Sequence, residues 1–209
     1  MVRKKKAVAA MRKRIMDAYW QAYAKDPTRR VTASAVVEGA QCNRSTFYEY
    51  FGTADDVLKA IEKEVAGKIA DSLAESYERE GTLEAIAETM TDTYSKEGDR
   101  ALVLLGPHGD PSFQRLLKET IRPVLERDFE VHFDTAEQRR AFDFAFGGLL
   151  GILVSWDSAG REMPLGDVVR LAQRFLLFGV ATQTTGWEDS PAISSFSEQA
   201  KRKNRNIGS

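Results

Sequence analysis

The sequence predicts an all-α protein. Apolar residues recur every three or four positions along most of the chain, which is the spacing of amphipathic helices. Two motifs, Thr53–Asp56 and Thr135–Gln138, have the form of capping boxes that begin helices. No segment keeps the alternating pattern of a strand. We therefore expect helices joined by short loops along the whole chain.

Charge is unevenly distributed along the 209 residues, although the net charge is only −1. Residues 1–50 contain 11 Lys and Arg against 4 Asp and Glu, whereas the rest contains 19 against 27. This segregation is typical of a basic nucleic-acid face attached to an acidic body. The alternative is that the basic start, residues 1–6, is simply a disordered tail. We expect residues 1–6 to form a flexible basic arm.

A first helix is predicted from about Ala7 to Ala24, because Val8, Met11 and Ile15 begin a periodic apolar face. The sequence Asp26-Pro27-Thr28 ends it. Three aromatic residues near its end, Tyr19, Trp20 and Tyr23, could form a stacking platform for single-stranded nucleic acid. We favour a core role for them, since they follow the helical face and no sheet is predicted to display them.

Residues 32–58 are predicted to form two short helices joined by a tight turn and the start of a third. Thr32 can cap the first helix, and Asn43 can cap the second, which we place at Arg44–Tyr50. Phe47 and Phe51 can face inward, and Gly52 ends the second helix. Short polar and basic side chains at the start of a second helix are typical of a helix-turn-helix.

These residues resemble the N-terminal signature of the TetR family of bacterial transcriptional regulators. The resemblance is carried by Thr32, Val36, Ala40, Thr46, Phe47-Tyr48, Tyr50-Phe51 and Asp55-Asp56-Val57-Leu58, and it covers about the first third of the chain. Gln41 and Cys42 stand where the family turn usually has Gly-Val, and Asn43 stands where Ser is common. Ala54 replaces a Lys that usually contacts phosphate, so we assign no phosphate contact there.

The resemblance and the side-chain chemistry together predict the residues that bind DNA. Arg44, Ser45 and Thr46 are expected at base edges or nearby phosphates, and the tyrosine hydroxyls are expected to anchor phosphates. Lys4 and Lys5 could lie along phosphates or enter a minor groove. The complete predicted set is Thr32, Asn43, Arg44, Ser45, Thr46, Tyr48, Tyr50, Thr53, Lys4 and Lys5.

The remaining chain predicts a series of longer helices. The first begins at Thr53 and continues to about Tyr77, so that it would link the two parts of the molecule. Further apolar patterns predict helices over 83–94, 101–105, 113–129, 135–156 and from Pro164 to about 186, with a turn at 96–99 and a loop at 106–111. Pro123 should kink or divide its helix. We expect domains at 1–52 and 53–186, followed by a flexible polar and basic tail at 187–209.

The helix after Thr135 contains three glycines, Gly147, Gly148 and Gly151, which predict close approach of another helix. The resemblance implies that the C-terminal domain forms a four-helix homodimer interface, although both helices could instead be core helices of a monomer. The interface set is Ala145, Gly148, Leu149, Ile152, Val169, Phe175 and Leu176.

The resemblance also implies an unknown small-molecule effector bound in the C-terminal domain. Candidate pocket residues are Met90, Tyr94, Phe113, Phe146 and Trp156, each of which could equally be ordinary core. The implied function is a ligand-responsive repressor that binds a palindromic double-stranded DNA operator as a dimer. The alternative is a helical ligand- or partner-binding protein with a vestigial helix-turn-helix, which the Ala54 departure favours.

Several other classes of function are not expected. The sequence contains no Gly-rich phosphate loop, HExxH or CxxC motif, so we predict neither an enzyme nor a cofactor. His108 and His132 lack partners at metal-ligand spacing, so no metal is expected. No apolar run could span a bilayer, and the basic start lacks the apolar block of a signal peptide. The single cysteine, Cys42, favours a reducing, cytoplasmic compartment and is expected to be a small buried apolar group.

Overall fold

The computed structural model describes residues 2–79, 97–128 and 133–178. Within these ranges the chain forms eight α-helices and no strand, as the apolar periodicity predicts. The helices are α1 (Val2–Lys25), α2 (Ala33–Gly39), α3 (Arg44–Tyr50), α4 (Ala54–Arg79), α5 (Asp99–Leu105), α6 (Pro111–Asp128), α7 (Ala136–Ser158) and α8 (Leu165–Phe178). In the part of the chain covered by these ranges, no helix is long and apolar enough to cross a bilayer.

The N-terminal part is built on α1 and α4. Ile15, Tyr19 and Tyr23 of α1 are buried, which confirms the core role of the two tyrosines. From α4, Val57, Ile61 and Val65 are fully buried against them. The short helices α2 and α3 add Val36 and Phe47, both 0% exposed, to the same cluster.

The same apolar cluster continues into the C-terminal part without interruption. Leu104 of α5, Phe113 and Leu117 of α6, and Phe146 and Leu150 of α7 are its buried members there. A second cluster joins α7 and α8 through Trp156, Leu165, Val168 and Val169, with Leu102 of α5. Because α4 packs against both α1 and α6, it physically links the two parts, as its length predicts. No observation tests the domain boundary at residue 52, so it stays a prediction.

The structure corrects two sequence predictions. Residues 2–6, predicted as a flexible arm, belong to α1, because Arg and Lys are good helix formers and nothing in this segment breaks a helix. Glu97 and Gly98, predicted as part of a turn, form a helical turn that leads into α5. Lys68 of α4 binds Glu97 at 2.6 Å, so an ion pair holds this turn against α4.

Two further predictions concern prolines and glycines. The helix α6 continues through Pro123 and is not divided there. Among the described residues, no other helix comes close to Gly147, Gly148 or Gly151, because a Cβ added to any of them would meet nothing within 4 Å. The predicted helix over 83–94, the end of the last helix near 186 and the tail at 187–209 lie outside the described residues.

Candidate nucleic-acid interface

The helix α2 begins at the predicted cap. The Thr32 hydroxyl accepts a hydrogen bond from the Ala35 amide at 3.3 Å, which satisfies one of the free donors at the helix start. Val36 and Ala40 form the buried face, whereas Ala35 is exposed. The buried face fixes α2 against α1, so its other side faces solvent.

The turn between α2 and α3 depends on one residue in the left-handed conformation. Gln41 has φ of 47°, in a region that favours glycine. The Arg14 guanidinium of α1 donates to the Gln41 carbonyl at 3.1 Å, and the Cys42 amide donates to Val37 at 3.2 Å. Cys42 itself is half-buried and packs against the core cluster. A helix-turn-helix geometry is therefore kept although the sequence lacks the usual glycine.

The second helix, α3, has the predicted bounds and the predicted cap. The Asn43 side-chain oxygen accepts from the Thr46 amide at 2.7 Å and from the Ser45 hydroxyl at 2.8 Å. Inward, Phe47 is 0% exposed and Phe51 is 6% exposed. These two rings anchor the helix, so the opposite face must point outward.

The outward face of α3 carries Arg44, Ser45 and Tyr48, all exposed. Tyr48 is 58% exposed, which is a large fraction for an aromatic side chain. Its ring lies edge-on to the ring of Phe47, with 5.3 Å between the ring centroids. The Arg44 guanidinium donates to the Ser34 hydroxyl of α2 at 2.9 Å. The three side chains thus present a guanidinium and two hydroxyls together on one surface.

The other predicted DNA-binding residues lie around this surface. Thr46 and Tyr50 are half-buried, and Tyr50 packs against the core. The Thr53 amide and hydroxyl both donate to Asp56, at 2.9 and 2.8 Å, so a phosphate contact would have to replace one of these bonds. Lys4 and Lys5 lie in the first turns of α1.

Two polar residues of this region were not singled out from the sequence. Ser34 supports Arg44, and Arg30, in the loop between α1 and α2, has a side chain that is 84% exposed and 3.5 Å from Asp55. The Arg29-Arg30 pair, which only Val31 separates from the Thr32 cap, was the available sequence signal for a cation at this end of α2.

The structure separates the predicted effector residues. Phe113 and Phe146 are buried in the first cluster and Trp156 in the second, while Met90 and Tyr94 lie outside the described residues. A cavity of about 430 Å³ lies between α6 and α7, and Phe113, Phe146 and Trp156 are not among its described lining residues. It is lined by Lys118, Glu119, Arg122, Phe133, Ala136, Arg139, Arg140, Phe142 and Asp143.

The predicted dimer residues also divide into two groups. Gly148 is exposed, and Ala145, Leu149, Ile152 and Phe175 are partly exposed, so a partner chain could reach them. Val169 is 1% exposed and packs within its own chain, where it belongs to the second cluster. Leu176 lies near the end of α8.

The fold is similar to that of several solved bacterial regulators. A TetR transcriptional regulator from Streptococcus agalactiae aligns with a TM-score of 0.62 and 19% identity, over 84% of this chain and 98% of that one. The fatty acid degradation regulator FadR from Bacillus halodurans aligns with a TM-score of 0.60 and 19% identity, over 81% and 96%. FadR from Thermus thermophilus, solved in complex with lauroyl-CoA, aligns with a TM-score of 0.52 and 18% identity, over 81% and 94%.

No protein-family profile and no curated protein sequence matches the chain. The structural similarities nevertheless show that it has the fold of TetR-type regulators, with an N-terminal helix-turn-helix and a helical C-terminal part.

The cap of α3 can be tested by substitution. Asn43→Ala should lower the free energy of unfolding by about 1 kcal/mol, because the Thr46 amide loses its acceptor, while Asn43→Ser should stay within about 0.5 kcal/mol of the parent. Urea denaturation followed by circular dichroism measures both. Equal losses for Ala and Ser would contradict the capping role.

The turn conformation gives a second test. Gln41→Gly should raise the free energy of unfolding by up to about 1 kcal/mol, since glycine adopts positive φ without steric cost. Gln41→Val should lower it by about 1 kcal/mol or more, because a β-branched residue is strained there. The urea midpoints of unfolding measure both effects, provided that the dependence of the unfolding free energy on urea concentration is unchanged. If Gln41→Val stabilised the protein, residue 41 would not have positive φ.

Proposed function

We propose that this chain is a DNA-binding transcriptional regulator of the TetR family, and that it acts in the cytoplasm as a dimeric, ligand-responsive repressor on a palindromic operator. The observation that supports this most is the outward face of α3. Its guanidinium and hydroxyls are exposed, while Phe47 holds the same helix rigidly from below. A helix anchored in this way can enter a major groove without rearranging the core.

Each exposed group has a role that its chemistry suits. Arg44 is placed to donate two parallel hydrogen bonds to a guanine edge, and the Ser34 hydroxyl orients it in the free protein. Tyr48 donates to a phosphate, as do Thr32 and Thr53 at helix starts where the backbone dipole also favours anions. We add Arg30 to the predicted set, because its exposed guanidinium lies beside the start of α2.

The dimer is proposed to form on a continuous exposed face of α7. Ala141, Phe144, Gly148, Gly151 and Ser155 follow each other at helical spacing, and all are exposed. Phe144 is 73% exposed. A Cβ added to Gly147, Gly148 or Gly151 would meet no described atom within 4 Å, so the surface of α7 is open there. A second copy of this helix is the partner we propose, because a two-fold dimer presents two α3 helices to one duplex.

The effector is proposed to bind in the C-terminal part. The cavity between α6 and α7 is lined by four cationic and two acidic side chains together with Phe133 and Phe142, whose rings are 4.7 Å apart. A small anion with an apolar portion matches this lining. The Thermus thermophilus neighbour was solved in complex with lauroyl-CoA, a much larger molecule that also joins anionic groups to an apolar chain.

The DNA-binding assignment is tested with duplexes selected from a random pool by the parent protein. Tyr48→Phe should weaken binding to all selected duplexes by about tenfold, because it removes one bond to a charged group that is present in every sequence. Arg44→Ala should change which duplexes bind best, because the discrimination between bases at one operator position should fall by about 1–3 kcal/mol. Fluorescence anisotropy over a range of salt concentrations measures both effects.

The matched control is Arg170→Ala on α8, which removes an exposed arginine far from α3 and should leave the affinity unchanged. If no duplex shows salt-dependent binding to the parent protein, the helix-turn-helix is vestigial and the alternative of a ligand- or partner-binding protein is correct.

The dimer face is tested by Phe144→Glu. A charge at this position should yield monomers and reduce operator affinity by more than about tenfold, because each half-site is then bound separately. Analytical ultracentrifugation gives the mass. Met163→Glu is the control, since it charges another exposed apolar residue, 40% exposed, in the loop before α8. A dimer that survives Phe144→Glu, or one lost equally in Met163→Glu, would place the interface elsewhere.

A further inference from the structure

One acidic side chain in the described structure is almost fully buried and forms no ion pair with a described residue. Glu62 of α4 is 2% exposed, and it is the one buried polar or charged residue among those described. Its oxygen Oε1 has no hydrogen-bond partner. An ionised carboxylate in such a place is strongly disfavoured, so the protonated form is the stable one.

A second carboxyl group faces Glu62 from a different part of the chain. Asp110 lies in the loop between α5 and α6, and it accepts from the Ser112 amide at 2.7 Å at the start of α6. The loop backbone packs directly against the end of α5, since a Cβ at Gly109 would overlap the Leu104 carbonyl. The two carboxyl groups are therefore held together by the fold.

The other groups that act on this pair come from α1 and α4. The Tyr19 and Tyr23 hydroxyls lie on α1, and Lys59 lies one turn before Glu62 on α4. Within the described residues, α5 and α6 bring no further charge that perturbs Glu62. The pair thus sits where α1 of the N-terminal part, the linking helix α4 and the loop of the C-terminal part meet.

The surroundings favour the neutral state of Glu62 through two effects. Burial and the neighbouring Asp110 carboxylate raise the pKa of Glu62 from 4.5 to about 7, and Lys59 opposes this only in part. Burial also raises the pKa of the Tyr19 and Tyr23 hydroxyls, so both remain protonated. At neutral pH, Glu62 is therefore close to its titration midpoint.

We propose that a proton held between Glu62 and Asp110 locks the helix-turn-helix part to the C-terminal part, and that losing this proton loosens the joint. Two facing carboxylates in a buried site repel each other, and they can separate only if the 106–110 loop, which also faces Tyr19 and Tyr23 of α1, moves relative to α4. The consequence for DNA rests on the proposed function: a loosened joint no longer fixes α2 and α3, so operator affinity falls.

The direction of the pH dependence follows from the pKa shift. The folded protein holds the Glu62 proton more tightly than the unfolded chain does. Its contribution to stability is therefore complete below about pH 4.5 and is lost as the pH rises through about 7. Glu62→Gln is neutral at every pH and should remove this part of the dependence.

The first experiment requires no DNA. The Glu62 carboxyl resonance, assigned by its absence in Glu62→Gln, should titrate near pH 7, and Asp110→Asn should lower that midpoint. Amide exchange in residues 15–23, corrected for its intrinsic pH dependence, should accelerate above the midpoint in the parent and not in Glu62→Gln. The control is Glu75→Gln, an exposed glutamate on the same helix as Glu62, which should behave as the parent does.

A Glu62 midpoint below about pH 5, or amide exchange that is unchanged across the titration, would overturn the proposal. If Glu62→Gln does not fold, the carboxyl resonance is assigned by through-bond correlation to the backbone of residue 62 in the parent, and the parent and Asp110→Asn still decide both points.

The second experiment measures operator affinity at about pH 6 and about pH 8, where one linked proton can change it by at most about tenfold per pH unit. From the lower to the higher pH, the operator affinity of the parent should fall by at least about threefold, and that of Glu62→Gln should fall by less. Equal losses would show that the joint does not act on DNA binding. Absence of binding at either pH would instead contradict the proposed function, while the titration and exchange data would still decide whether the joint exists.

Discussion

The packing of α1 against α4 is the contact on which the rest of the structure depends. Helices of seven residues, such as α2 and α3, are not stable alone, because so few backbone bonds do not offset the cost of nucleation. They are held because Val36 and Phe47 are fully buried in the same apolar cluster as the core residues of α1 and α4. The outward face of α3 is therefore only as well positioned as α1 and α4 are relative to each other.

This dependence gives α4 two functions in one helix. Its N-terminal half forms the floor of the helix-turn-helix, and its later residues pack against α6 of the C-terminal part. A ligand that shifts α6 or α7 would act on α3 through this helix. The buried carboxyl pair lies at the same junction, so protonation and ligand binding would both act on one mechanical element.

The helix-turn-helix could be predicted almost residue by residue, because its signals are local. Asn43 caps the helix that follows it, and the Thr53–Asp56 capping box starts α4 as expected. The Glu62–Asp110 pair could not be predicted, because its members are far apart in sequence and Glu62 looks like an ordinary charged residue of a helix. The burial of Val169 was missed for a similar reason: periodicity shows that a face is apolar but not which helix covers it.

The proposed binding of a palindromic operator requires two copies of the α3 face at the spacing of one helical turn of DNA. Spin labels at residue 49, an exposed position of α3 outside the proposed DNA contacts, in a Cys42→Ser background, give the distance between the two copies in the operator complex by double electron–electron resonance. We expect a single population centred near about 34–36 Å, the separation of successive major grooves on one face of a duplex. A distribution centred well beyond that range, or no intermolecular distance at all, would contradict it.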